Sequence, residues 1–370
     1  MNQDTSGDAS SGSFSAGRSD QEGRGSGQAM ARAGHLAFHM ARLQALCVAV
    51  RLALPDHLAG GPRSADELAA AAGAHPDALN RMLRFLALEG WVAVAEDGRY
   101  ALTPLGRELC AEDPSGARDF LLACLERGWP TWGALLHSVM TGGPAFDHVV
   151  GRGYFEDMAL NPANRAAVSR LLAEGAREIS SALKQTIDFS AFRQVVDVGG
   201  GGGILVGALL EACPDLTAVL LDRAEAVERA RAYLGPIGVA DRCLFEVGDF
   251  FRAVPAGGDV YILSWILHDW DDERAIAILT NCRRAMAPEA RLLVLETLMA
   301  ENPLGSPHAV ALDLGMLVTT GGRERTETEY RRLLESAGFR LVRILPTPSS
   351  RGTSILEALP SSHPVSPSRP

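Results

Sequence analysis

The chain has 370 residues, 47% of them hydrophobic and 22% charged, with a formal charge of −10 at pH 7. At roughly 100–200 residues per domain, this length predicts two domains with ample core. The acidic balance argues against a general binder of nucleic acid or anionic membranes. No run of about 18 apolar residues is present to span a bilayer, and the glycine- and serine-rich start lacks the apolar stretch of a secretory signal. The six cysteines are scattered without a CxxC pair, as expected of reduced thiols in the cytoplasm.

In chain order, residues 1–29 almost lack large apolar side chains and read as a disordered tail. Residues 30–112 read as a winged helix. Leu36, His39, Met40, Leu43, Leu46, Cys47 and Val50 recur at helical spacing. Ser64 and Glu67 form a capping box, Gly73 closes that helix, and Pro76 opens the next. Residues 91–95 and 99–102, joined by Glu96-Asp97-Gly98, predict a β-hairpin. A winged helix invites a DNA-binding reading, but residues 31–110 carry about eight basic and about eight acidic residues. Without a basic stripe, a packing or dimerisation module is expected.

Residues 113–190 form an amphipathic helical linker, with Trp129, Trp132, Phe146, Phe155 and Met158 on its apolar faces. From residue 191 to 358 the period changes. Short apolar runs at 195–198, 218–221, 259–263 and 292–295 alternate with helical stretches at 205–212, 224–233 and 272–286. That alternation predicts an α/β domain with a Rossmann-like, doubly wound parallel sheet. Residues 359–370, rich in proline and serine, read as a second tail.

The strongest local signal is Val195-Val196-Asp197-Val198 followed by five glycines, Gly199 to Gly203, and a helix. Glycines after a buried strand let a ligand approach main-chain N–H groups at a helix N-terminus. A dinucleotide fingerprint fails, because its third glycine falls on Ile204, Leu205 or Val206, and no lysine follows as in a P-loop. The loop therefore suits a ribose without phosphates, touched by Gly199 and Gly201. Asp222, at the next strand end, can accept from ribose hydroxyls. Asp249 can accept from an adenine amino group while Phe250 packs on the ring.

Asp197-Val198-Gly199-Gly200-Gly201, Asp222, Gly248-Asp249-Phe250-Phe251, Leu267-His268-Asp269-Trp270 and Gly321-Gly322-Arg323-Glu324-Arg325-Thr326 stand in the order found in S-adenosylmethionine-dependent O-methyltransferases. The chain resembles, over about residues 35–358, the group that includes plant caffeate and flavonoid enzymes and bacterial antibiotic-tailoring enzymes. The resemblance implies S-adenosyl-L-methionine as cofactor, homodimerisation through the winged helix, and His268 as general base. An imidazole of pKa near 6.5 suits a phenol of pKa near 10. It further implies that Glu296 or Glu324 orients the imidazole. Ser264 stands where plant members place a lysine, and Arg165 matches an arginine that some members aim at the methionine carboxylate.

A small hydroxylated aromatic acceptor is expected against Trp132, Met158, Asp269 and Met316. Asp269, Asp271 and Asp272 suggest a divalent metal, but they open a helix and His268 makes a metal unnecessary; none is expected. The expected activity is metal-independent O-methylation of a phenolic secondary metabolite. The alternatives are N-methylation or hydroxylation with the same cofactor, and a ligand-sensing winged-helix transcription factor.

Overall fold

A computed structural model describes residues 28–349 and 352–361. The tails expected at 1–29 and 359–370 lie outside the described residues over 1–27 and 362–370. At their inner edges the expectation is corrected. Gln28 and Ala29 already belong to the first helix, and Leu359 and Pro360 pair with Arg340 and Phe339 in the last strand ladder.

The N-terminal region follows its capping signals. Helix α1 (Gln28–Arg51) is followed by α2 (Leu54–Ala59), α3 (Ala65–Ala72) and α4 (Pro76–Leu88). The Ser64 hydroxyl accepts from Glu67 N–H while the Glu67 carboxylate accepts from Ser64 N–H. Gly73 ends α3 in the left-handed region at φ +65°, where a side chain is strained. Strands β1 (Val92–Val94) and β2 (Tyr100–Leu102) pair antiparallel as the wing. Leu54, Leu58, Leu68, Leu83 and Leu86 close one apolar core beneath them. Each such buried leucine contributes about 1.5–3 kcal/mol by leaving water.

Beyond the helical segment lies the main sheet: β3 (Gln194–Val198), β4 (Thr217–Asp222), β5 (Cys243–Val247), β6 (Val260–Ser264), β7 (Arg291–Met299), the short β8 (Arg325–Thr326), β9 (Phe339–Pro346) and β10 (Thr353–Pro360). The strand order is β5-β4-β3-β6-β7-β10-β9, with β8 parallel to the end of β7. The sheet is therefore mixed, not parallel throughout. β10 runs antiparallel between β7 and β9, because residues 347–352 between β9 and β10 are too few for the crossover a parallel pair needs.

Side chains of β3 alternate between two cores: Val196 and Val198 face one, Val195 the other. The strand order reverses between β3 and β6. In a doubly wound sheet the crevice outside the carboxyl ends of such neighbouring strands is the ligand site. Here it brings the glycine loop after β3 beside the His268 turn after β6.

Candidate active site

The glycine loop is shaped by contacts that exclude side chains. A Cβ on Gly199, which has φ +78°, would lie 2.5 Å from Ile266 Cδ1, and one on Gly200 would lie 2.7 Å from Asp197 Oδ2. Asp222, at the end of β4, accepts from Gly201 N–H at 2.8 Å and Arg223 N–H at 2.7 Å. Burial raises its pKa against those two donors. Asp197 is buried, and burial followed by the charge of Asp222 pushes it up to about 7. Its Oδ2 has no hydrogen-bond partner among the described residues. Asp249 accepts from Phe251 N–H at 2.9 Å, and the Phe250 ring packs within 3.5 Å of the Gly199 Cβ position. A close-approach glycine cradle flanked by carboxylates fits a nucleoside with ribose hydroxyls and no phosphate.

His268 sits in the single 3₁₀ turn Leu267–Asp269 after β6. That turn is clamped by the segment that follows helix Pro307–Thr319. Arg323 N–H donates to His268 O at 2.8 Å. The guanidinium of Arg325, fully buried, donates to Leu267 O at 2.9 Å, Trp270 O at 2.7 Å and Asp272 Oδ1 at 2.8 and 2.9 Å. Gly322 passes so close that a Cβ there would lie 2.0 Å from His268 O.

Two buried carboxylates meet the imidazole. Glu324 Oε1 lies 2.9 Å from His268 Nδ1 and Glu296 Oε2 lies 3.6 Å from it. Glu296 Oε1 accepts from three successive N–H groups, those of Ile266, Leu267 and His268, at 3.1, 2.8 and 3.4 Å. Such a nest of amides favours an anion. Glu324 is thus the carboxylate in direct contact with Nδ1, while Glu296 stands 3.6 Å away and anchors the turn. An Nδ1–H donating to Glu324 leaves Nε2 as the lone-pair nitrogen of the neutral ring. Asp269 Oδ1 stands 3.9 Å from Nε2.

Burial alone would lower the His268 pKa, but Glu296, Glu324 and Asp269 together reverse it and push it up to about 10. Glu296 is pushed to about 7 by burial, against the attraction of His268. Asp269 rises to about 6 for the same reason.

The ligating atoms of His268, Glu296 and Glu324 lie within 4.8 Å of one another, a donor set of metal-ligand type. Nδ1 is engaged by Glu324 and Glu296 Oε1 by three amides. The other acids of the run have tasks of their own. Asp271 caps helix Asp272–Ala285 through Arg274 N–H, and Asp272 pairs with Arg325.

Of the other expected site residues, Ser264 ends β6 half-buried. Arg165 Nη1 donates to Met158 O and Ala159 O, both at 2.9 Å, so it closes the helix Tyr154–Leu160. Met158 is buried there, and Phe155 of the same helix stacks on Trp270 at 5.3 Å, beside the His268 turn. Met316 is half-buried on helix Pro307–Thr319, whereas Trp132 is 45% exposed.

Sequence reasoning missed Arg325 as the clamp, Trp265 in the left-handed region at φ +54°, and Asp313, which accepts from Glu324 N–H at 2.9 Å. The Gly-Gly-Arg-Glu-Arg-Thr run was a usable signal for the clamp; nothing local marks the other two.

A close-approach glycine cradle flanked by carboxylates, beside an imidazole paired with buried carboxylates, is the kind of site that α/β group-transfer enzymes use. Residues 132–340 match the O-methyltransferase domain, and residues 34–112 match the O-methyltransferase dimerisation domain. The chain is 40% identical over 319 residues to the phenazine O-methyltransferase PhzM of Lysobacter antibioticus, covering 86% of this chain and 92% of that protein. Among solved structures it is similar to the mitomycin 7-O-methyltransferase MmcR, with a TM-score of 0.82 and 36% identity over 90% of this chain and 98% of that one. The O-methyltransferase NcsB1, solved with S-adenosylmethionine and 2-hydroxy-5-methylnaphthoic acid, matches with a TM-score of 0.75 and 35% identity over 86% of this chain and 96% of that one. The chain belongs to the O-methyltransferase family and is an S-adenosylmethionine-dependent enzyme.

Proposed function

We propose that the protein methylates a phenolic hydroxyl of an aromatic secondary metabolite, with His268 as general base and without a metal. The observation that carries this reading is the 2.9 Å contact from Glu324 to His268 Nδ1, which commits that nitrogen as donor and frees Nε2 to accept a proton. Gly199, Gly201 and Asp222 would hold the ribose end of the cofactor, and Asp249 with Phe250 the adenine. Ser264 and Arg165 would serve the methionine end, Arg165 through the guanidinium nitrogens that the Met158 and Ala159 carbonyls leave free.

When bound, the cofactor supplies a methyl group on a cationic sulfur whose leaving form is a neutral thioether. The base is the neutral His268 ring, the minor form at neutral pH because its pKa is raised to about 10 and therefore close to that of the phenol itself. Its Nε2 would take the phenol proton as the oxygen attacks the methyl carbon and the thioether leaves. The new imidazolium is stabilised by Glu324 at 2.9 Å and Glu296 at 3.6 Å. Both are held ready before reaction, so no reorganisation is needed as charge develops. Met158, Met316 and Trp132 would wall the acceptor, with Asp269 beside its reacting edge.

A homodimer fits the long exposed part of α1, where Leu36 is 67% and Phe38 63% exposed. Apolar side chains projecting from a helix ask for a partner surface, and they fall within or beside the segment that matches the dimerisation domain. No helix among the described residues is long and apolar enough to cross a membrane.

The test is calorimetric titration of S-adenosylmethionine and S-adenosylhomocysteine into wild type and His268→Ala, then a phenol panel assayed with both. Equal cofactor affinity with a loss of roughly 10²–10⁴ in rate is expected. Lost cofactor binding in the variant would make His268 structural. Undiminished methyl transfer would remove it as the base.

A further inference from the structure

Asn281 is a buried amide for which methyl transfer, as described so far, has no task. It lies on helix Asp272–Ala285 and is 8% exposed. Its Nδ2 donates to Phe250 O and to Phe251 O, both at 2.9 Å, and its Oδ1 accepts from Arg284 Nη1 at 3.3 Å. Two successive carbonyls of one loop thus consume both amide hydrogens. That loop is Gly248-Asp249-Phe250-Phe251, which leaves β5 with Gly248 N–H bonded to Asp222 O at 3.0 Å. On its far side the Phe250 ring reaches the glycine cradle.

The same helix starts at the reaction turn. Asp271 caps it directly after Trp270, and Arg325 pins Asp272. From Asp272 to Asn281 an α-helix spans roughly 13 Å at about 1.5 Å per residue. One rigid rod therefore joins the turn bearing His268 to the loop bearing Asp249 and Phe250.

We infer that Asn281 is a positioning residue for the cofactor: its amide fixes the main chain of Phe250 and Phe251 so that Asp249 and Phe250 meet the adenine ring of an S-adenosyl nucleoside. This rests on the assignment of Asp249 and Phe250 to adenine made above. Asparagine suits the task because one planar group offers two diverging N–H donors. Aspartate of the same shape offers none when ionised, and leucine leaves two carbonyls unsatisfied.

The experiment measures Kd for S-adenosylhomocysteine and for adenosine, by calorimetry on the full chain, in wild type, Asn281→Asp, Asn281→Leu and Asp249→Ala. Both Asn281 variants should bind both ligands about tenfold more weakly, equivalent to about 1.4 kcal/mol. The KM for S-adenosylmethionine should rise in step, while kcat at saturation, acceptor KM and the pH–rate profile stay within about twofold of wild type. A merely structural Asn281 would lower the melting temperature and leave both Kd values within about twofold, which overturns the inference. Should the leucine variant not fold, the isosteric aspartate decides. Weakening by Asp249→Ala but not by Asn281→Asp overturns the role of Asn281 alone. An unchanged Kd in Asp249→Ala overturns the adenine assignment, and with it the route by which Asn281 acts.

Discussion

Replacing Glu296 by glutamine isolates one charge beside His268 while sparing the shape of the turn. The glutamine oxygen can still accept from the N–H groups of Ile266, Leu267 and His268, which now converge on Glu296 Oε1. What disappears is a negative charge 3.6 Å from Nδ1. With an effective dielectric of about 20, opposite unit charges at that separation attract by about 5 kcal/mol. At 1.36 kcal/mol per unit this corresponds to a ceiling of about 3 pK units. The realised change is smaller for two reasons: both charges are spread over several atoms, and burial pushes Glu296 itself to about 7, so it is only partly ionised at neutral pH. The imidazolium of wild type, held by three carboxylates at about 10, should therefore titrate roughly one to two units lower in the variant. The assay is an NMR titration of selectively labelled imidazoles without cofactor, with His268 assigned by its absence in His268→Ala. A wild-type His268 that titrates near the ordinary 6.5, or a variant within about 0.3 unit of wild type, would refute the charge argument.

Two further outcomes follow from the same geometry. Gly322→Ala places a methyl 2.0 Å from His268 O and 2.4 Å from Asp269 C, both main-chain atoms that no rotamer can move. The reaction turn must shift, and activity should fall by roughly a hundredfold or more, as expected when reacting groups are misplaced by about 1 Å; circular dichroism and cofactor affinity should hold, and full activity would refute the clamp. Asp197→Asn addresses stability: burial lifts the wild-type carboxyl from 3.8 to about 7, so its contribution is present below about 4 and lost as pH rises through about 7. Thermal melts without cofactor should decline less steeply from pH 5 to 8 in the variant, whose amide has no proton to lose.

Most of the sheet was legible because its strands are buried on both faces and read as continuous apolar runs, as Val195, Val196 and Val198 do. Local chemistry also carried through. The Ser64–Glu67 capping box and the Gly73 terminus need only near neighbours. The last two strands were missed for the opposite reason. β10 carries Glu357 in its middle, and that buried carboxylate is satisfied by Arg291 and Arg343 at 2.7 and 2.5 Å. Those partners lie 66 and 14 residues away, so a charge that looks like a strand breaker locally is a paired core residue in three dimensions. The site divides in the same way. Motifs shared with the resembling family suggested His268, Glu296 and Glu324, but that Glu324 lies 2.9 Å and Glu296 3.6 Å from the ring is visible only in three dimensions. The Gly-Gly-Arg-Glu-Arg-Thr run marks Arg325, but its clamp partners lie 53 to 58 residues back and cannot be read locally.

Trp265 explains how a carboxylate as buried as Glu296 can approach the imidazole at all. A bulky residue at φ +54° costs roughly 1–2 kcal/mol in backbone strain. The conformation turns the chain sharply after β6, and the next three N–H groups point at one oxygen of Glu296. Charge-assisted bonds of this kind are each worth about 1.5–3 kcal/mol, so together they offset the strain. They also oppose the burial that would otherwise keep Glu296 protonated. Around the ring, Glu296, Glu324 and Asp269 stand within 3.9 Å of a single imidazole, while the nearby guanidinium of Arg325 is spent on Asp272 and two carbonyls. With His268 in the neutral form that can act as base, the cluster carries a clear excess of acid groups. A crevice of that sign would favour a cationic sulfonium over a neutral thioether by charge alone, so under the function proposed above the acids that raise the pKa of His268 would also favour the methyl donor over its product.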